Sequence, residues 1–282
     1  MTYYYLSSSV VDLRSIAGEL ETQLLFGERL ICSTSKCFAY SQLTYNRGTW
    51  QPYPIDIFPE NSSFSILSSP LIPNAVVHSF NAILEPWGIP LPYGTPLTID
   101  KQGHVSLPRE MLALFPTNSN KKSFCDPRHY SFLSSQKNSL HSLIKTSEKF
   151  LGIPYLWGGR CIHDNLNLGT DCSGFINILF QAHGMNIPRN ARDQYHDCLF
   201  MDNFNDLPLG GLVFLKSRTS DQISHVMLKQ SSKSIVHAVQ SLGRVVKSII
   251  GADCEFAGNM FYFGNKWNIA SYGVPKKRRA FF

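Results

Sequence analysis

The chain has 282 residues, 43% of them hydrophobic and 16% charged, which suits a globular protein of two or three domains able to build a core. A net charge of +6 permits an acidic ligand. The basic residues do not interleave with aromatics, so nucleic acid is not expected as a partner, and no apolar run is long enough to span a membrane.

The seven cysteines, at 32, 37, 125, 161, 172, 198 and 254, do not read as a disulfide framework. Their odd number leaves at least one thiol free, which fits a reducing compartment. The start, MTYYYLSSSVVDLRSIAGEL, lacks a charged n-region and an unbroken apolar h-region, so it is not a convincing secretory signal. A cytoplasmic location is the expectation, with periplasm or cell surface as the alternative.

Val10 to Leu13 reads as a strand, and Arg14 to Gly18 as a turn. Glu19 to Ser33 holds a strand, a break at Gly27 and a second strand. Leu43 to Trp50 adds strand character around Asn46-Arg47-Gly48. Short strands with turn signals this close suggest a small barrel. Asn61-Ser62-Ser63 is a polar spacer. Val76 to Leu84 and Thr95 to Leu107 repeat the pattern around the proline-rich WGIPLPYGTP, where proline favours loops and sheet edges. Two β modules are expected, 1–66 and 67–125. Asn118 to Ser123 is a linker candidate, and the third domain is 126–282.

Ser139 to Phe150 reads as a helix and leads into Pro154-Tyr155-Leu156-Trp157-Gly158-Gly159. Asp171 is a good N-cap. After it, Phe175, Ile178, Leu179 and Ala182 recur at helical spacing, and Ile176 and Phe180 widen the apolar face. Gly184 is a C-terminal stop. Cys172 then stands in the first turn of a helix covered on most sides, where the dipole favours negative charge and a lowered thiol pKa. Ser173 and Gly174 are small enough for a substrate backbone to approach, and the amides of this turn can bond an oxyanion. The competing reading is a buried structural cysteine.

Beyond Pro188 a short helix runs through Gln194. Four strand-like runs follow: Gly211 to Lys216, Ile223 to Lys229, Ser234 to Val239 and Arg244 to Ile250. Helices followed by an antiparallel meander give the α+β pattern. A hairpin folded about Ser231 sets His225 opposite His237 on one face. His225 can then take the Cys172 proton while His237 holds its ring, the nucleophile–base–orienter logic of a triad. Taken singly, each histidine reads first as a satisfied strand residue, and it is the pairing by parity that favours the triad.

These pieces occur in the order of the NlpC/p60 family of papain-like cell-wall peptidases, which residues 126 to about 264 resemble. The likeness rests on Pro154 to Gly159, Asp171 to Phe175, Ile187-Pro188-Arg189, Leu207 to Phe214, Ser224 to Leu228 and Ile235 to Ala238. The preceding half resembles the paired bacterial SH3-like modules of one branch, through Val11 to Arg14 and Thr22 to Glu28. The resemblance implies an α+β papain-like peptidase domain preceded by two small SH3-like β-barrels. It implies Cys172 as nucleophile, His225 as base, His237 as third polar residue, and Tyr155 lining the site. Asp171, Ser173 and Arg189 match substrate-side positions, and Glu19 or Glu21 is the acidic residue expected to meet a substrate amine. Asn190-Ala191 departs from the small hydroxyl residues common there.

Peptidoglycan-derived peptides are the expected partners, cut between γ-D-glutamyl and a diamino acid, by a monomer without cofactor. The alternatives are a peptidoglycan-binding protein with a silent peptidase domain, and an amidase or acyltransferase using the same thiol. Cys161, His163, His196 and Cys198 form two Cys/His pairs, but their spacing matches no closed zinc module. Lys276 to Arg279 reads as a solvated tail.

Overall fold

A computed structural model describes residues 2–33, 36–58, 64–67, 71–116, 122–134 and 140–276. The Asn61–Ser63 spacer lies outside them, as do most of the Asn118–Ser123 linker and Lys277–Arg279. The first strands are β1 (Thr2–Leu6), β2 (Val10–Arg14), β3 (Leu20–Leu25), β4 (Arg29–Cys32), β5 (Cys37–Asn46), β6 (Thr49–Ile55) and β7 (Phe64–Leu67). An antiparallel sheet runs β6-β5-β4-β1-β7, and β2 and β3 form a separate hairpin. Alternate residues, among them Leu6, Leu13, Leu24, Leu30, Ala39 and Ile55, close a small core between them. At the β5–β6 turn, Arg47 and Gly48 both have positive φ, 48° and 83°, the backbone that a two-residue hairpin loop needs to match strand twist.

One expectation fails here. Cys32 and Cys37, directly opposed across β4 and β5, are joined in a disulfide, and five cysteines remain free. Five residues of separation carry no signal by themselves; the hairpin register brings the sulfurs together.

The next stretch is sparser in strand than its sequence suggests. The Val76 to Leu84 run divides into β8 (Ala75–Val77) and β9 (Ile83–Leu84), which pairs with β10 (Ile89–Pro90). From Thr95 to Leu107 the chain gives only β11 (Pro96–Leu97) and an isolated bridge, Ile99 to Val105. After a short helix α1 (Arg109–Leu112), strand β12 (Tyr130–Phe132) returns to pair with β8. The core of this stretch includes Tyr5 of β1 and Phe26 of the β3–β4 turn.

The remaining elements are α2 (Leu140–Ser147), α3 (Cys172–Gln181), α4 (Ala191–His196), β13 (Cys198–Met201), β14 (Leu212–Lys216), β15 (Ile223–Ser231), β16 (Ser234–Val239), β17 (Arg244–Ile249), β18 (Glu255–Ala257), β19 (Met260–Phe263) and β20 (Lys266–Pro275). The sheet runs β17-β16-β15-β14-β20-β19-β18, with β13 also on β20. Helix α3 packs on β15 and β16. On that face Val226, Leu228, Val236 and Ala238 meet Phe175, Ile178 and Leu179. Their alternates Met227 and Ile235 join Val213, Phe261 and Tyr272 in a core on the other side. Both faces are covered, so β15 is buried from Val226 to Gln230 and apolar without alternation from Val226 to Leu228. The four expected meander strands are β14 to β17; the addition of β20, which inserts beside β14, was not expected. The overall architecture is a mixed helix and sheet unit preceded by small β sheets.

Candidate active site

Asp171 builds the start of α3. Its backbone is extended (φ −85°, ψ −179°), and its Oδ1 accepts the Gly174 N–H at 2.6 Å, as an N-cap requires. Every residue from Ser173 to Gln181 is buried. Asp171 does more than cap. It also accepts the Gly158 N–H at 3.0 Å and the Ser173 hydroxyl at 3.0 Å. Arg189 donates to both its oxygens, at 3.1 and 2.8 Å. One carboxylate thus ties the Pro154–Gly159 segment, the helix start and the Pro188-Arg189 segment together.

The glycines explain how closely these pieces approach. A Cβ on Gly174 would stand 2.1 Å from the Gly159 carbonyl oxygen. One on Gly158, at φ +72°, would stand 2.3 Å from the Leu20 carbonyl oxygen. Backbone meets backbone at both points, so any side chain would push β3 or α3 away.

The result is a cleft of about 800 Å³. Cys172, Tyr155, Asp171 and Ser173 line it, with Ser224 and His225 of β15. Glu19, Leu20, Glu21 and Tyr53 come from the N-terminal sheets. Glu19 and Glu21, both candidates for meeting an amine, therefore face the same space as the thiol. Arg189 does not line the cleft. It is fully buried behind Asp171, where its Nε also donates to Thr22 Oγ1 at 2.8 Å; it positions the carboxylate rather than facing a ligand.

The two histidines meet as expected, in a different register. Leu228 opposes Val236, whereas a hairpin centred on Ser231 would oppose it to Ser234. The turn itself is centred beyond Ser232, with Ser231 opposite Ser234, and an irregularity between Lys229 and Ser231 shifts the pairing by one, so at Leu228 the register differs from that hairpin by two residues. A two-residue shift preserves the face, so the rings still touch diagonally, with His225 Nε2 at 2.8 Å from His237 Nδ1. His237 is fully buried, its Nε2 lies 3.0 Å from Ser248 Oγ, and Phe263 covers its ring. Ser248 was not visible in the sequence as a site residue: a serine in a strand carries no distinguishing pattern.

Burial lowers His225 to about 4, against a smaller opposing effect of Asp171, and pushes His237 well below the ordinary range. The thiol goes the other way from the dipole expectation. Burial, then the Asp171 carboxylate, raise Cys172 to about 12, although the amides of Val226 and Ser173 pull it down. The carboxylate that caps α3 also offsets its positive end beside the sulfur. Above about pH 4 the cleft therefore pairs a protonated thiol with an unprotonated imidazole. The acid limb of kcat/KM is expected near pH 4 rather than 6.5, because His225 stays an unprotonated base above that value. A pH–rate profile with its acid limb at 6 or above would contradict this. The same lowering means that the unfolded chain binds more protons between pH 6.5 and 4, so stability falls as pH drops through that window.

The two Cys/His pairs are engaged elsewhere. His163 Nε2 donates to the Ala82 carbonyl at 2.9 Å, the Cys198 thiol donates to the Gln194 carbonyl, Cys161 is in the core, and the His196 ring packs on Tyr45. Among the described residues no three His, Cys, Asp or Glu side chains group to hold a metal.

A thiol and an imidazole line one cleft, and a second imidazole is bonded behind the first, an arrangement that nucleophile–base chemistry requires. The model of the NlpC/P60 family matches residues 152–254. Two relatives are both named gamma-D-glutamyl-L-lysine dipeptidyl-peptidase. That of Bacillus cereus is 24% identical over 269 residues, covering 87% of this chain and 76% of the relative. That of Bacillus subtilis is 36% identical over 107 residues, and the match spans 38% of this chain and 34% of the relative. A solved NlpC/P60 family protein from Bacillus cereus superposes with a TM-score of 0.72 over 99% of both chains at 17% identity, which shows a shared fold.

Proposed function

The chain carries an NlpC/P60 family domain over residues 152–254, and on that premise we propose that it is a cysteine endopeptidase of peptidoglycan stem peptides, cutting the γ-D-glutamyl–diamino acid bond in peptides with a free N-terminal L-Ala. The observation that carries the reading is the shared cleft: Cys172 and His225 line it together with Glu21 from another part of the chain, and His237 holds His225 from behind.

His225 Nε2 is taken by His237, which leaves Nδ1 for the thiol. His225 Nδ1 accepts the Cys172 proton as sulfur attacks the γ-amide carbonyl carbon. The oxyanion is met by the Cys172 N–H and the Tyr155 hydroxyl. As the C–N bond breaks, His225 returns the proton to the leaving amine, and water then hydrolyses the thioester. Glu21 supplies the polarity that selects the substrate's other end. Burial, then Asp56 and Glu19, raise its carboxyl pKa, so an ammonium group placed there relieves a crowded acidic wall. The diamino acid, lysine or diaminopimelate, belongs to this proposal, since both relatives' names specify lysine.

Tri- and tetrapeptide stems with the amine free or acetylated test the reading. The free peptides are expected to be cut and the acetylated ones to lose about 10²-fold in kcat/KM, with Glu21→Gln narrowing that gap. Equal cleavage of free and acetylated peptides would remove Glu21 from substrate recognition.

A further inference from the structure

We propose that Ser248 is a positioning residue that fixes the proton arrangement of the His225–His237 pair, leaving the lone pair of His225 turned to the cleft. The inference rests on the reading of Cys172 and His225 as nucleophile and base. Two contacts define the chain: His225 Nε2 to His237 Nδ1 at 2.8 Å, and His237 Nε2 to Ser248 Oγ at 3.0 Å. Ser248 is 3% exposed and His237 not at all, so water does not compete for these atoms.

Each neutral imidazole has one N–H and one lone pair. His225 can serve as a base toward the cleft only if its proton sits on Nε2. That N–H then donates to His237 Nδ1, whose own proton must sit on Nε2 and find an acceptor. Ser248 Oγ is that acceptor. Ile235 opposes Ser248 across β16 and β17, so His237 and Ser248 lie diagonally on one face, within reach without distorting either strand. Without the hydroxyl, an N–H on His237 Nε2 would be buried and unsatisfied, which disfavours that tautomer. The proton would move to His237 Nδ1 and donate to His225 Nε2. His225 would then carry its own proton on Nδ1, where the thiol needs a base. The same logic holds for a triad whose third member is changed to one that selects the wrong tautomer.

The charged groups facing the thiol and the base are Asp171, which acts on both Cys172 and His225, and Arg189, which acts on Cys172. On the His237 side the neighbour is His225, with the Phe263 ring covering it. None of these is altered by a change at Ser248.

Alkylation of Cys172 by iodoacetamide, read by peptide mapping across pH 5–10, reports the base without requiring a peptide substrate. A sulfur–carbon bond forms, iodide leaves, and the thiol proton goes to His225 Nδ1. In the unaltered protein the rate should be flat above the His225 titration. Ser248→Val should lower it about 10²-fold at pH 7 and make it climb about tenfold per pH unit, since hydroxide replaces the base. Ser248→Thr should restore the flat profile. A Val variant with the unaltered protein's rate and profile would overturn the proposal. Should the Val variant not fold, nitrogen-15 spectra of the unaltered protein decide: His237 protonated on Nε2 supports the assignment, and protonation on Nδ1 refutes it. Failure to cut any stem peptide while alkylation still depends on Ser248 would defeat the peptidase reading and leave this one standing.

Discussion

Replacing Cys172 by alanine is expected to lower kcat/KM on L-Ala-γ-D-Glu-diaminopimelate by at least about 10⁴-fold, the scale of losing the nucleophile from a set that works as a unit. His225→Gln should cost nearly as much, and the double variant little more than either alone, because neither group acts without the other. The fold should tolerate the alanine. The helix cap is the Asp171 carboxylate, and the thiol is not among the groups that hold Asp171, Gly158, Ser173 and Arg189 together. A circular dichroism melt unchanged within a few degrees would confirm that only chemistry was removed. Persistent hydrolysis by Cys172→Ala would discard the assignment and move attention to the binding-protein alternative. The two single variants also separate roles. If deprotonation accompanies attack, raising the pH should partly rescue His225→Gln as thiolate accumulates, and should do nothing for Cys172→Ala.

What could be foreseen from residues alone follows the strength of local signals. The start of α3 was legible because a capping carboxylate and a 3.6-residue apolar period agree at one place. The meander was legible because turn residues separate its four strands. The meeting of His225 and His237 survived a wrong register because strand faces repeat every two residues, so parity was right where opposition was not. Strand β20 had no such signal. It buries Asn268, Ala270 and Tyr272 and leaves Trp267 over a third exposed, so its apolar pattern runs against its burial. The thiol's pKa departs from the dipole expectation first through burial, which depends on the tertiary packing, and then through the charge of the carboxylate that caps the helix. Arg189 read as a ligand group from its place in a motif, whereas its burial makes it a support. Ser248 and the Cys32–Cys37 bond depend on register between strands, which no single run of residues encodes.

The same is true of the buried ion pair that joins the two halves of the chain, and breaking it is the other change with a large expected effect. Arg160 Nη1 lies 2.8 Å from Glu28 Oε2, with both side chains fully buried. Every guanidinium nitrogen and both carboxylate oxygens of the pair have a hydrogen-bond partner. Arg160 also donates to Asn177 Oδ1, to the Gln23 carbonyl and to Gln181 Oε1. Glu28 accepts the Leu25 N–H at 3.0 Å and Gln181 Nε2 at 3.1 Å. Two members of this network, Asn177 and Gln181, stand on α3, and Gln23 and Leu25 stand on β3, the strand that brings Leu20 and Glu21 to the cleft. Arg160→Leu would leave the Glu28 carboxylate buried without its cation, which costs about 3–5 kcal/mol. The prediction is a loss of that size in a urea unfolding experiment, together with a rise in KM larger than the fall in kcat, since β3 loses its anchor while Cys172 and His225 keep theirs. Glu28→Leu combined with Arg160→Leu removes both charges, and should recover a substantial part of the stability lost by Arg160→Leu alone, because the dominant penalty is the stranded charge. A loss below about 1 kcal/mol for Arg160→Leu, the range of an exposed pair, would show that the carboxylate finds water or a proton in the variant and that the contact between β3 and α3 rests on packing instead.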